Sequence, residues 1–223
     1  METDSDLFDG SIELTNPGWG YFTVGLTDAG ASRFAHTTIS DSVSSGLAPN
    51  AFGHMPEHNG IDEARHEWML NDDRGVYHPS WAVSIRWSEP GGYYRQRLGS
   101  DASVDFSHHE ALGFRVMQRH DDPLNGGSDV DFSLRLTDSF GNSASVPLST
   151  APQGALRPNP EVGAGTRPKS VYEGFRLPIH RFTAANPSLD ITSIAFADWV
   201  FDITPTGAVT IDDIVLARAG LCE

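Results

Sequence analysis

A single cysteine, Cys222, occurs in 223 residues. No internal disulfide can form, and no multi-thiolate metal site can be built from this chain. Its place beside the last residue, where chains fray, reads as incidental. Basic residues are also scarce: 15 Lys and Arg stand against 30 Asp and Glu, a formal net charge of -15. Such a field opposes non-specific binding to nucleic-acid phosphate and to anionic membrane. Apolar runs such as Ile194-Ala195-Phe196-Ala197 stop far short of the roughly 18 residues that a membrane span needs. The opening Met1-Glu2-Thr3-Asp4-Ser5-Asp6 is acidic, whereas a secretory leader begins positive and turns apolar. The chain is therefore expected either to avoid that export route or to have lost a leader. Nucleophile signatures are missing too, with no Gly-x-Ser-x-Gly, no His-Glu-x-x-His and no phosphate-cradling glycine loop.

What is present is an ordinary globular balance, 39% hydrophobic and 20% charged, which excludes disorder by composition. The length suits one β-sandwich domain over residues 1–223. From Trp81 onward, short alternating segments are separated by Gly, Pro, Asn and Asp clusters, the spacing of an all-β sandwich. In Trp81-Ala82-Val83-Ser84-Ile85-Arg86-Trp87, the odd positions are apolar and the even ones small or polar, which defines a half-buried strand. Ser88-Glu89-Pro90-Gly91-Gly92 interrupts it before Tyr93-Tyr94-Arg95-Gln96-Arg97-Leu98, so a hairpin with a five-residue loop is predicted. Further strands are expected at 111–118, 131–138, 143–148, 170–179, 191–203 and 209–217, with no sustained helical period among them. Residues 25–78 differ, being rich in Ser, Ala, Asn, Gly and His and weak in alternation. They read as a long irregular insertion. Within it, Asn59 to Leu70 is predicted to form a short helix, with Ile61, Ala64 or Arg65, and Trp68 on one face and Asp62 and Glu63 at its positive end.

The closing strand Gly207 to Leu216 contains Ile211-Asp212-Asp213-Ile214-Val215-Leu216. Alternation puts Asp213 on the same side as Ile211, the buried side, and Asp212 opposite. A buried carboxylate requires a metal or a strong hydrogen-bond network. With Phe8-Asp9-Gly10 near the other end, this segment resembles that of jelly-roll carbohydrate-binding modules (galactose-binding-like domains) that carry a structural calcium. The middle of the chain is similar to such accessory domains of secreted bacterial hydrolases. It carries Val104-Asp105-Phe106-Ser107, Leu112-Gly113-Phe114-Arg115-Val116, Asp131 to Asp138 and Phe175-Arg176-Leu177-Pro178-Ile179. The resemblance implies a two-sheet antiparallel jelly-roll β-sandwich with Ca2+ carboxylates at Asp9 and Asp213, and with Asp212 as a further candidate. It also implies a secreted or periplasmic location. Calcium suits such residues because it takes six to eight oxygens at flexible geometry; the alternative is a hydrogen-bonded Asp pair capping loops.

Four arginines, Arg86, Arg115, Arg135 and Arg176, each stand between two apolar residues and so point away from the core. On neighbouring strands they would form a cationic band able to grip carboxylates or sulfates, with Tyr93 and Tyr94 stacking on sugar rings. Alternatively, Asp131, Asp138, Glu110 and Glu173 neutralise the band, and the long stems merely cover the sheet. The histidines lack metal-ligand spacing, since Pro56 and flanking glycines break the His54 to His58 segment.

Together these features predict a non-catalytic module that binds a polysaccharide, acidic if the arginine band is the binding face, and that serves a catalytic domain of a parent enzyme. Two other readings compete. One is a glycan-active enzyme, in particular a β-sandwich polysaccharide lyase using Tyr93, Tyr94, Arg95, Gln96, Arg115, Gln118 and His120. The other is a structural domain that packs on a catalytic partner.

Overall fold

The computed structural model describes residues 11–15, 23–27, 36–40, 50, 54–69, 80–98, 103–119, 122–158 and 172–217. Asp9, Trp19, His78, His120 and Cys222 lie outside the described residues. Thirteen strands and one α-helix are described: β1 Ser11–Thr15, β2 Thr23–Thr27, β3 His36–Ser40, β4 Glu57–Asn59, β5 Glu63–Met69, β6 Ser80–Trp87, β7 Gly92–Arg97, β8 Ala111–Gln118, β9 Ser133–Asp138, β10 Ser143–Pro147, β11 Glu173–Pro178, α1 Ile179–Ala185, β12 Ile194–Phe201 and β13 Gly207–Ala217. They form two packed antiparallel sheets and a separate β1–β2 pair.

One sheet has the order β11-β8-β13-β6-β5. One edge of β13 is shared, β6 pairing Gly207 to Ile211 and β3 pairing Ile214 to Ala217. The other sheet runs β10-β9-β12-β7-β4. The architecture is the all-β sandwich expected from the strand spacing, in the jelly-roll form that the resemblance implied, and the strand at 111–118 falls where it was expected.

The core forms between the sheets from the inward halves of these alternating strands. Val83, Ile85, Trp87, Phe114, Phe175 and Ile211 come from one side, and Tyr94, Leu134, Leu136, Trp199 and Phe201 from the other. Aromatic contacts tie the layers together. Phe114 meets Trp199 edge-on at 5.6 Å, and Trp87 stacks on Phe201 at 4.3 Å. Burying each such side chain is worth roughly 1.5–3 kcal/mol.

Several expectations are corrected. β6 and β7 do not form a hairpin, because β6 pairs with β5 and β13 whereas β7 pairs with β12 and β4. The Ser88 to Gly91 turn carries the chain from one sheet to the other. The helix expected over Asn59 to Leu70 is absent from the described residues of that segment: Glu63–Met69 is a strand whose backbone bonds are taken by β6. Residues that read as one face of a helix were open to either period, and the ladder decided between them. Residues 25–78 thus supply β3, β4 and β5 to the sandwich. Helix occurs instead at Ile179–Ala185, where Ile179 and Phe182 bury their side chains.

β13 contains a further departure. Its register shifts between Asp212 and Val215, and Asp213 has a φ of 48°, a left-handed conformation that Asp tolerates better than most residues. The bulge inserts one extra residue and reverses the facing. Ile211, Ile214 and Leu216 enter the core while Asp213 does not.

The face of the β8–β13–β6 sheet that points away from the core is itself buried, with Ala82, Met117, Ala208 and Thr210 all at 0% exposure. That face is not an open platform.

Candidate functional site

The outward face of the β10-β9-β12-β7-β4 sheet is different. Because Tyr94 and Gln96 turn inward on β7, Tyr93, Arg95 and Arg97 turn outward. On β12 a register irregularity between Ile194 and Phe196 leaves Ile194, Ala197, Trp199 and Phe201 inside, so Phe196, Asp198 and Val200 face out. On β9, Leu134 and Leu136 point inward and Arg135 outward.

The registers then place Ser145, Arg135, Asp198, Arg95 and Glu57 in one row across five strands. At its centre lies Asp198, with a side-chain exposure of 0%. It is gripped by Arg95, 21% exposed, and Arg135, 29% exposed. Arg95 donates from Nε to Oδ1 at 2.7 Å and from Nη2 to Oδ2 at 3.0 Å. Arg135 donates from Nε and Nη2 to Oδ2 at 2.9 and 2.7 Å. Such charge-assisted forks fix geometry as well as charge. The Asp198 hydrogen bonds hold the Arg95 pKa above its usual value, against the opposing effect of burial.

Aromatic rings flank the clamp. The Arg95 guanidinium carbon lies 4.8 Å from the Tyr93 ring centroid and 4.5 Å from that of Phe196, and Arg135 lies 5.8 Å from Tyr93. These distances are within cation–π range. The clamp uses Nε and Nη2 of each arginine, so Nη1 is outside it in both. The result is a partly exposed patch of two aromatic rings and two guanidiniums held by Asp198. It offers apolar faces for stacking and N–H groups for hydroxyl or carboxylate oxygens.

The expected site residues are dispersed. Only Arg135 belongs to this sheet, while Arg86, Arg115 and Arg176 stand on β6, β8 and β11 of the other, so the four do not make one band. Arg86 pairs with Asp122 at 3.2 Å, Arg115 with Asp213 and Arg135 with Asp198, acids outside the four that were expected to neutralise the band. Tyr93 is on the platform, but Tyr94 is a core residue at 1% exposure. Burial raises the Tyr94 pKa far above that of a free phenol, and its hydroxyl accepts a hydrogen bond from Gln96 Nε2 at 2.7 Å. Gln118 is likewise buried, donating to the carbonyls of Ser128 and Leu156. Three groups of the lyase reading, Tyr94, Gln96 and Gln118, are therefore buried and structural.

Asp198 and Phe196 were missed by the sequence reading, and Arg95 entered it only as a group of the lyase alternative. The signal was available in Phe196-Ala197-Asp198-Trp199, where an aromatic shares the strand face of an acid rather than that of Trp199.

The expected calcium site is only partly described: no group of three or more His, Cys, Asp or Glu converges among the described residues. Asp213 already faces the cationic Arg115, which would repel a second cation. Asp9, one of the two principal ligands expected, lies outside the described residues.

The fold is that of carbohydrate-binding-module jelly rolls. The chain is similar to the family 30 carbohydrate-binding module of the cellulosomal cellulase Cel9D-Cel44B of Clostridium thermocellum, with a TM-score of 0.53 and 12% identity over 81% of this chain and 96% of that one. A second structure of a family 30 module matches with a TM-score of 0.52 and 14% identity, over 85% and 90% of the two chains. An exo-beta-agarase structure matches with a TM-score of 0.50 and 13% identity over 82% of this chain and 25% of that one. No family model and no curated protein matches the chain.

Proposed function

We propose that this protein is a non-catalytic carbohydrate-binding module whose binding surface is the outward face of β9, β12 and β7. The observation that carries this reading is the outward-facing patch of Tyr93 and Phe196 around the Arg135–Asp198–Arg95 clamp. Sugar rings present apolar C–H faces edged by hydroxyls, which aromatic rings and oriented guanidiniums match in turn.

Pre-organisation favours this use, because the side chains are already held and little rotamer entropy is lost on binding. The clamp also argues against catalysis at this surface. Its central carboxylate is shielded by two cations, whereas glycoside hydrolysis needs two carboxyls opposed across a cleft. A polysaccharide is the partner in this reading, and a catalytic domain of a secreted enzyme is the expected companion, as for the module of the Clostridium thermocellum cellulase.

The test is affinity electrophoresis of the purified protein through a panel of soluble polysaccharides. At least one should retard the wild type, with release of neither reducing ends nor unsaturated products. Retardation should be lost in Phe196→Ala. Glycan cleavage would overturn the reading, as would retardation that survives Phe196→Ala.

A further inference from the structure

A concave surface lies away from the platform, where the start of β8 meets the end of β11 and α1. It is a cleft of about 610 Å3, within the roughly 300–1,000 Å3 of small-molecule sites. Its charged lining is Arg176, Arg181, His109, His180 and Glu110. Two permanent cations thus oppose one carboxylate, and two imidazoles can only add positive charge. On a chain of net charge -15, this is a local reversal of sign, and concave walls concentrate such a field.

The walls are fixed by the backbone. Glu110 N donates to the Ala217 carbonyl, and the Glu110 carbonyl accepts from Ile179 N, each at 2.8 Å. Arg181 Nη1 donates to the Thr150 carbonyl, tying α1 to the segment that leads to Pro152 on the cleft wall. Arg176 points out of the sheet because Phe175 and Leu177 are in the core, and its register partner on β8 is Gly113. His109 is held edge-on to Phe106, with ring centroids 6.4 Å apart. Pro178 and Ile191 add apolar wall.

We propose that this cleft is a second ligand site, distinct from the platform, which takes a small saccharide carrying an anionic group. Arg176 and Arg181 receive the anionic oxygens, and the apolar wall receives the ring. Bidentate guanidinium recognition suits a carboxylate or a sulfate ester equally, so the shared chemistry is an oxyanion on a sugar.

The experiment is an 15N NMR titration of the whole chain with glucuronate, glucose and inorganic sulfate at equal concentrations. Glucuronate should shift the amides of His109, Glu110 and Arg181 in a saturable way, and glucose should not. Arg176→Gln should weaken glucuronate binding at least tenfold. Glu110→Gln, which removes the one opposing charge, should tighten it severalfold, a gain that misfolding cannot imitate. Tyr93→Ala should leave glucuronate binding unchanged, so failure of the platform and failure of the cleft are separable. The proposal is overturned if glucose produces equal shifts, if Arg176→Gln or Glu110→Gln leaves the affinity as it was, or if bare sulfate binds as tightly as glucuronate, since the ring would then contribute nothing.

Discussion

Asp198 lies fully buried beneath Arg95, whose Nε and Nη2 reach its two oxygens at 2.7 and 3.0 Å. Arg135 completes the clamp from the neighbouring strand. Removing the acid leaves two guanidiniums facing each other across a hydrophobic strand. Asp198→Asn should therefore lower the unfolding free energy by about 3 kcal/mol, the low end for breaking a buried pair because both arginines keep contact with water. A urea midpoint unchanged from wild type would show that the clamp is not a structural unit.

Gly207 lies against the Trp87 ring, and a Cβ there would come within 2.4 Å of Cζ2. The ring cannot yield, since its Nε1 donates to the Thr204 carbonyl at 2.9 Å and its face stacks on Phe201. Gly207→Ala should cost about 2 kcal/mol by overpacking and should alter tryptophan emission. Wild-type stability in that variant would mean that the β6–β13 contact is looser than described.

Asp138 anchors the β9–β10 turn. Burial acts against its charge, but the hydrogen bonds it accepts from the amides of Asp190, Asn142 and Phe140 and from Asn142 Nδ2 prevail and hold its pKa below the usual carboxylate value. Its contribution to stability is present in full above about pH 4, the range of an unfolded aspartate, and is lost as pH falls through the depressed folded value. The stability gap between wild type and Asp138→Asn should accordingly be wide at pH 7 and close on acidification. A gap that stays constant down to pH 2 would contradict this.

Calcium stability is decided by a melt. With Arg115 paired to Asp213, EDTA should leave the melting temperature where it is, whereas Arg115→Met should lower it. A fall of several degrees on chelation, restored by Ca2+, would instead establish a stabilising ion held by Asp9, Asp212 and Asp213.

How much of this was legible in the sequence follows from what alternation encodes. It fixes which side of its own strand a residue takes, so the outward facing of Arg135 and the strand limits of 111–118 were readable. It does not say which sheet a strand joins, and for that reason Arg135 parted from Arg86, Arg115 and Arg176. It also fails at bulges: the extra residue at Asp213 reverses the facing, and the sequence marks this only by an Asp pair able to accept a positive φ. Tyr93 and Tyr94 are adjacent and chemically alike, so only the inward turn of Gln96 and Leu98 separates the platform residue from the core residue. The row through Asp198 depends on cross-strand register, which is set by packing between segments about 60 and 100 residues apart.

The central claim is tested most directly by isothermal titration of a retained polysaccharide into three proteins with matched melting temperatures: wild type, Tyr93→Ala and Arg86→Ala. The account predicts an affinity loss of at least tenfold, about 1.4 kcal/mol, in Tyr93→Ala and none in Arg86→Ala, whose guanidinium stands on the other sheet and pairs with Asp122. Full affinity in Tyr93→Ala, or a comparable loss in Arg86→Ala, would contradict it.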